Sequence, residues 1–142
     1  MSETFDVPVL TLDASITSVA LIDPQGMPSR VIDTDAGCTI TIGWHLDGSA
    51  ALFLGGSWTV RAFVESIGAG FEGQIGATQT VPVDGSADYS ATINVAPLSV
   101  PPPAGDDTVY KLVVLVSHTA VNGTKTEMAG FGEGPFFEVR NP

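Results

Sequence analysis

The run Asp106-Asp107-Thr108-Val109-Tyr110-Lys111-Leu112-Val113-Val114-Leu115-Val116-Ser117 constrains the fold more than any other part of the chain. An acidic turn leads into a tyrosine, and the tyrosine leads into a strand that is apolar on both faces. A tyrosine in that position buries its ring and returns its hydroxyl to the turn. Such a tyrosine corner belongs to a central strand of a two-sheet sandwich. Sandwiches are scaffolds whose function sits on faces and loops, so the segment speaks to architecture before it speaks to role.

The remaining segments agree with a β reading. Period-two alternation recurs and no helical period of useful length appears. In Cys38–Leu46, the residues Cys38, Ile40, Ile42, Trp44 and Leu46 share one face and Thr39, Thr41 and His45 the other. Trp58–Glu65 places Trp58, Val60, Ala62 and Val64 inward, with Thr59, Arg61, Phe63 and Glu65 outward. Tyr89–Val95 repeats the scheme. Weaker strand signals cover Ile16–Ile22, Gln74–Val83, where Pro82 points to an edge strand, and Phe136–Val139. Asp23-Pro24-Gln25-Gly26, Asp47-Gly48, Asp84-Gly85 and Asn122-Gly123 supply turns. Val100–Gly105, with three consecutive prolines, is a stiff crossing suited to carrying the chain between sheets. About seven to eight short strands at this spacing predict a single antiparallel β-sandwich with Greek-key connections. Residues 1–14 read as an N-terminal extension or first edge strand, and 15–142 as the sandwich domain.

On these features the chain resembles the immunoglobulin-like and fibronectin type III-like sandwich superfamily. The resemblance rests on the Asp106–Leu112 corner, the inward parity of Trp44 and Trp58, and the final hairpin through Asn122-Gly123. It departs from antibody domains in lacking the paired cysteine, since Leu112 stands two residues after Tyr110 and Cys38 is the only cysteine. What the resemblance implies is a role in adhesion, assembly or accessory binding.

Charge narrows the partners. Sixteen acidic residues against five Lys and Arg give a net charge of −11. Such a surface repels phosphate backbones and anionic lipid, which excludes nucleic-acid and membrane-surface roles. No stretch approaches the roughly 20 apolar residues of a membrane span, and Met1–Asp6 has neither a basic nor an apolar leader region. The expectation is a soluble chain, cytoplasmic or part of a particle by default.

The chemistry-bearing motifs have simpler explanations. Gly68-Ala69-Gly70-Phe71-Glu72-Gly73 matches G-x-G-x-x-G, but the following residues read as strand where a dinucleotide site needs a helix. Cys38, His45 and His118 are too few for zinc, and Cys38 and His45 lie on opposite faces; they read as a small buried hydrophobe and two surface imidazoles. Asp33-Thr34-Asp35 and Asp106-Asp107 suit calcium chemistry but lack a D-x-D-x-D-G loop. Ser117-His118 has no third partner and no nucleophile elbow. Asn122-Gly123-Thr124 is a glycosylation sequon, but Asn-Gly already has a turn reason. No catalytic residue, cofactor or metal is therefore expected.

One constellation rises above this background. In the superfamily arrangement the Trp58, Tyr110 and last strands lie side by side. Their outward residues are then Arg61, Phe63 and Glu65; Lys111, Val113 and Leu115; Phe136, Glu138 and Arg140. Three of the five basic residues fall there, together with four sizeable apolar side chains. An apolar centre with a charged rim is interface anatomy. The expectation is a non-enzymatic assembly protein that meets itself or another protein through an apolar, locally basic face at Arg61, Phe63, Lys111, Val113, Leu115, Phe136 and Arg140. Phe5–Leu12 adds a segment that could pair with a neighbour's sheet edge. The alternative is an accessory module binding carbohydrate, peptide or calcium at loop tips, with Phe71 in Gly68–Gly73, Phe131 in Gly130–Pro135 and the Asp47–Gly56 connection as the contacts.

Overall fold

Side chains that alternate with period two must find a core on one face of each strand, and two sheets packed face to face supply it. The computed structural model describes residues 3–6, 13–48, 54–67, 72–97 and 107–140. Within them the chain is all β, without a helix. The strands are β1 (Glu3–Asp6), β2 (Asp13–Ile22), β3 (Val31–Asp33), β4 (Cys38–Asp47), β5 (Ser57–Ser66), β6 (Gly73–Pro82), β7 (Asp88–Val95), β8 (Asp107–Thr119) and β9 (Lys125–Arg140). One sheet runs β1-β9-β8-β5-β6, with β3 also on β9; the other runs β2-β4-β7. The expected antiparallel character holds for every pairing but one: β3 runs parallel to β9, with Val31, Ile32 and Asp33 opposite Glu138, Val139 and Arg140.

The alternation in β4 is realised as written. Cys38, Ile40, Ile42, Trp44 and Leu46 are buried, and the intervening residues are partly exposed. In β5 the buried residues are Trp58, Val60, Ala62 and Val64. β7 buries Tyr89, Ala91, Ile93 and Val95. β6 is an edge strand, as Pro82 predicted. Tyr110 is fully buried and stacks on Phe137, with centroids 5.8 Å apart. The turn to which its hydroxyl was expected to return includes Asp106 and lies outside the described residues.

An aromatic cluster forms where Trp58 meets the other sheet. Trp44 approaches it edge-on at 6.0 Å and stacks on Tyr89 at 5.9 Å. Aromatic pairs at these separations add to what their area alone contributes. His118 completes the group with its ring 5.3 Å from Trp58.

His118 corrects the expectation of a surface imidazole. It is only 3% exposed, because it continues the inward row Tyr110, Leu112, Val114 and Val116 of β8. Its Nε2 lies 2.7 Å from the Gly55 carbonyl, which only accepts, so that nitrogen carries the hydrogen. Nδ1 lies 3.0 Å from the Thr126 hydroxyl. Thr126 reaches it because the β8–β9 register shifts between the Ser117–Ala129 and Thr119–Lys125 pairs. A buried imidazole with both nitrogens engaged ties the β4–β5 connection to the last hairpin and is a packing residue.

Two predictions follow from this packing. Gly56 has φ +93°, and a Cβ there would overlap the Thr119 carbonyl. Gly56→Ala is expected to cost at least about 2 kcal/mol, read as a lower urea midpoint with an unchanged m value. Burial pushes the Cys38 thiol up to about 11 from 9.0. The neutral thiol is the form the fold accepts, so this contribution is complete below pH 9 and is lost as pH rises towards 11. In native protein at pH 8, Cys38 is expected to resist a disulfide reagent and to react at the rate of global unfolding. Rapid labelling of folded protein would show that the site opens locally.

Candidate functional site

The expected three-strand face exists, because β5, β8 and β9 are neighbours in one sheet. Cross-strand register sets out its rows. Arg61, Leu115 and Phe131 form one row, and Phe63, Val113 and Glu133 the next. Glu65, Lys111 and Phe136 follow, then Val109 and Glu138, with Val31 of β3 beside Glu138. Every expected face residue is thereby brought to one surface, Arg140 at its far end.

Exposure within the face differs from parity alone. Phe136 is 52% exposed, whereas Val113 is only 6% exposed. Val113 sits in the middle row between Phe63 and Glu133, whose longer side chains flank it. Val109, Val31 and Ile67 add apolar surface that sequence reasoning missed. Val109 was legible, since it shares the parity of Lys111. Val31 was not, because only the parallel β3–β9 pairing brings it there. Ile67 joins through its amide, which donates to the Val109 carbonyl at 2.9 Å.

Phe131 requires a correction. The glycine-rich stretch Gly130–Pro135 is no loop tip but the middle of β9. Its glycines are there because the strand runs close to other chain segments. A Cβ on Gly132 would lie 3.1 Å from Ile16 Cδ1, and one on Gly134 would lie 2.9 Å from Val19 and Leu112. Phe131 thus belongs to the sheet face, opposite Leu115. Phe71 lies outside the described residues, as do parts of the Gly68–Gly73 and Asp47–Gly56 segments. Gly73 opens β6, so a strand follows where a dinucleotide motif would need a helix.

The face is charge-balanced rather than basic. Lys111 is paired with Glu133, and Glu65 stands opposite Lys111. Arg140 lies 3.6 Å from Glu138. Arg61 has no carboxylate partner among the described residues. Both partners of the Lys111–Glu133 pair are largely shielded from water, with side chains 22% and 24% exposed. Shielding of this degree strengthens the attraction beyond that of an open surface pair.

Beside the face, between β2 and β9, lies a groove of about 640 Å³ lined by Val19, Leu21, Arg30, Lys111, Glu133 and Phe136 among others. The opposite sheet presents a polar surface: His45 Nδ1 is 2.7 Å from Asp88, and Thr39 bonds Asn94 at 3.3 Å. Among the described residues no cluster of three or more His, Cys, Asp or Glu could hold a metal ion. No helix among them is long and apolar enough to cross a membrane.

No family model matches the chain, and no curated protein matches it. Among solved structures it is similar to a beta-glucosidase from Listeria innocua in complex with glucose, with a TM-score of 0.46 and 9% identity. The same enzyme in complex with gluconolactone gives a TM-score of 0.43 and 8% identity. Each likeness covers 92% of this chain and 16% of that one, so the chain spans a small part of the proteins it resembles.

Proposed function

We propose that this chain is a non-enzymatic assembly subunit, an immunoglobulin-like, Greek-key sandwich that self-associates through the outer face of β5, β8 and β9. One observation carries the reading. Of the seven large apolar residues exposed among the described residues, five (Val31, Ile67, Val109, Phe131 and Phe136) gather at this face. The other two, Met27 and Val121, lie in turns. Single exposed apolar residues are ordinary, but five on one sheet face, two of them phenylalanines, are interface composition.

Charge at this face permits a second copy as the partner. A chain of net charge −11 repels its own kind over most approaches. At this face Lys111 and Glu133 neutralise each other, and Arg140 stands beside Glu138. Two copies meeting here bring their exposed apolar residues together with little like-charge opposition. The immunoglobulin-like part of the reading is supported by the strand order, β2-β4-β7 against β3-β9-β8-β5-β6, and by β3 lying parallel to the last strand. The loop-tip alternative loses Phe131, which is on the sheet.

Sedimentation velocity across concentration tests the reading. A dimer or larger species is expected, strengthened by added salt because screening relieves the repulsion between acidic protomers. Phe136→Ser is expected to weaken association at least about tenfold while leaving the unfolding midpoint unchanged, since an exposed aromatic anchor contributes to binding rather than to the core. A monomer at every concentration and salt would end the proposal. So would association indifferent to Phe136→Ser and Leu115→Ser together.

A further inference from the structure

The groove beside the face has a property that neither its volume nor its side chains convey: among the described residues, backbone groups on both walls lack hydrogen-bond partners. Along its outer edge, β9 pairs with β1 over Ala129–Gly132 and with β3 over Glu138–Arg140. Between these stretches, Gly134–Phe137 has no strand partner on that edge among the described residues. Successive residues of an antiparallel strand direct their N–H and C=O to opposite edges. Glu138 donates outward to the Arg30 carbonyl at 2.7 Å, and Arg140 accepts outward from Thr34 at 2.9 Å. Two residues before Glu138, Phe136 therefore turns its N–H and C=O outward as well.

Strand β2 mirrors this arrangement. The Leu21 carbonyl accepts from Ser29 at 3.0 Å on the side away from β4. Val19, two residues earlier, accordingly points its backbone groups away from β4, and it lines the groove. On those sides neither Phe136 nor Val19 has a hydrogen-bond partner among the described residues. The two strands close on each other where Gly132 meets Ile16 and again where Gly134 meets the Val19 side chain. Further along, the space between them is about 640 Å³, within the range of about 300–1,000 Å³ that ligand clefts occupy.

The charges in the groove are unequal in availability. Glu133 is engaged by Lys111. Arg30 is exposed and has no carboxylate partner among the described residues. In a chain of net charge −11, a free guanidinium on the wall of a groove is a local exception. It favours an anionic occupant that the rest of the surface would repel. Val19, Leu21, Pro28 and Pro135 supply apolar contacts on either side.

We propose that this groove binds an extended peptide segment of a protein partner, apolar and carrying one carboxylate. The segment pairs with the free backbone edge of Phe136, and its carboxylate meets Arg30, with Val19 as an apolar contact on the facing wall. This is strand addition, in which main-chain bonds hold the ligand and alternate side chains select it. It does not depend on self-association, which uses the Phe136 side chain and not its backbone edge.

The probe is a pool of capped pentapeptides with glutamate at the centre and Val, Ile, Leu or Thr at the flanking positions, added to the ¹⁵N-labelled full chain at up to about 5 mM, a range that detects even weak binding. The Val19 and Phe136 amide resonances are expected to shift saturably. Arg30→Glu, an exposed change that leaves the fold intact, is expected to weaken the response at least about tenfold, as loss and reversal of a charge contact would. The same pool N-methylated beside the glutamate is expected to produce no shift at either amide. Unmoved Val19 and Phe136 resonances, an equal response to the N-methylated pool, or an undiminished response in Arg30→Glu would each overturn the proposal.

Discussion

Trp58 is the residue on which the rest of the structure depends. It belongs to the five-strand path of one sheet, and its ring meets Trp44 and Tyr89 of the other, which are themselves opposite each other in register. The same ring borders His118, whose Nε2 secures the Gly55 carbonyl just ahead of β5. One aromatic group thus sets the spacing of the sheets and the position of a chain connection. Trp44 shows the priority given to this packing: its buried indole nitrogen has no hydrogen-bond partner in the described structure. A buried unsatisfied donor costs about 1–3 kcal/mol, and the burial of two large indoles outweighs it.

The parts of this arrangement that could be read from residues alone are those where a strand obeys period two without interruption. β4, β5 and β7 were legible because every inward position is apolar and every turn has Gly, Pro or Asp beside it. The face was legible for the same reason, through Phe63, Lys111 and Leu115. His118 was misplaced by residue type: read as a surface imidazole, it lies inside β8 and continues that strand's buried row. β3 escaped because three residues carry no period, and its parallel pairing to β9 is a long-range event. The glycines of β9 look like a loop in one dimension. Their reason appears only when Ile16, Leu112 and Val19 are seen to press against them.

Charge and apolar surface are distributed in a related way. An acidic protein remains soluble through self-repulsion, and that repulsion must be suspended wherever a contact is to form. Here the suspension is local. Lys111 and Glu133 pair within the face, Arg140 stands near Glu138, and Arg30 borders the neighbouring groove. Lys125, beside the last hairpin turn, is the remaining cation of the chain apart from Arg61 on the face itself. Neutralising a few positions beside the apolar rows, rather than making the face strongly basic, suits a contact whose partner carries the same balance.

The face itself is the product of a single irregularity. Phe131 and Phe136 are five residues apart, and in an uninterrupted strand an odd separation places two side chains on opposite faces. Register shows what prevents this. Glu133 opposes Val113 and Phe136 opposes Lys111, so Gly134 and Pro135 together stand opposite Leu112 alone. The extra residue reverses the parity of β9, and both phenylalanines emerge on the outer surface. Gly134 permits the close approach to Leu112 and Val19 that the bulge requires, while Pro135 lacks the N–H that would otherwise need a partner there. The bulge also falls where, among the described residues, β9 lacks a strand neighbour between β1 and β3. One inserted residue therefore brings both phenylalanines to the outer face beside that stretch of edge, and both functional candidates of this molecule converge on Phe136.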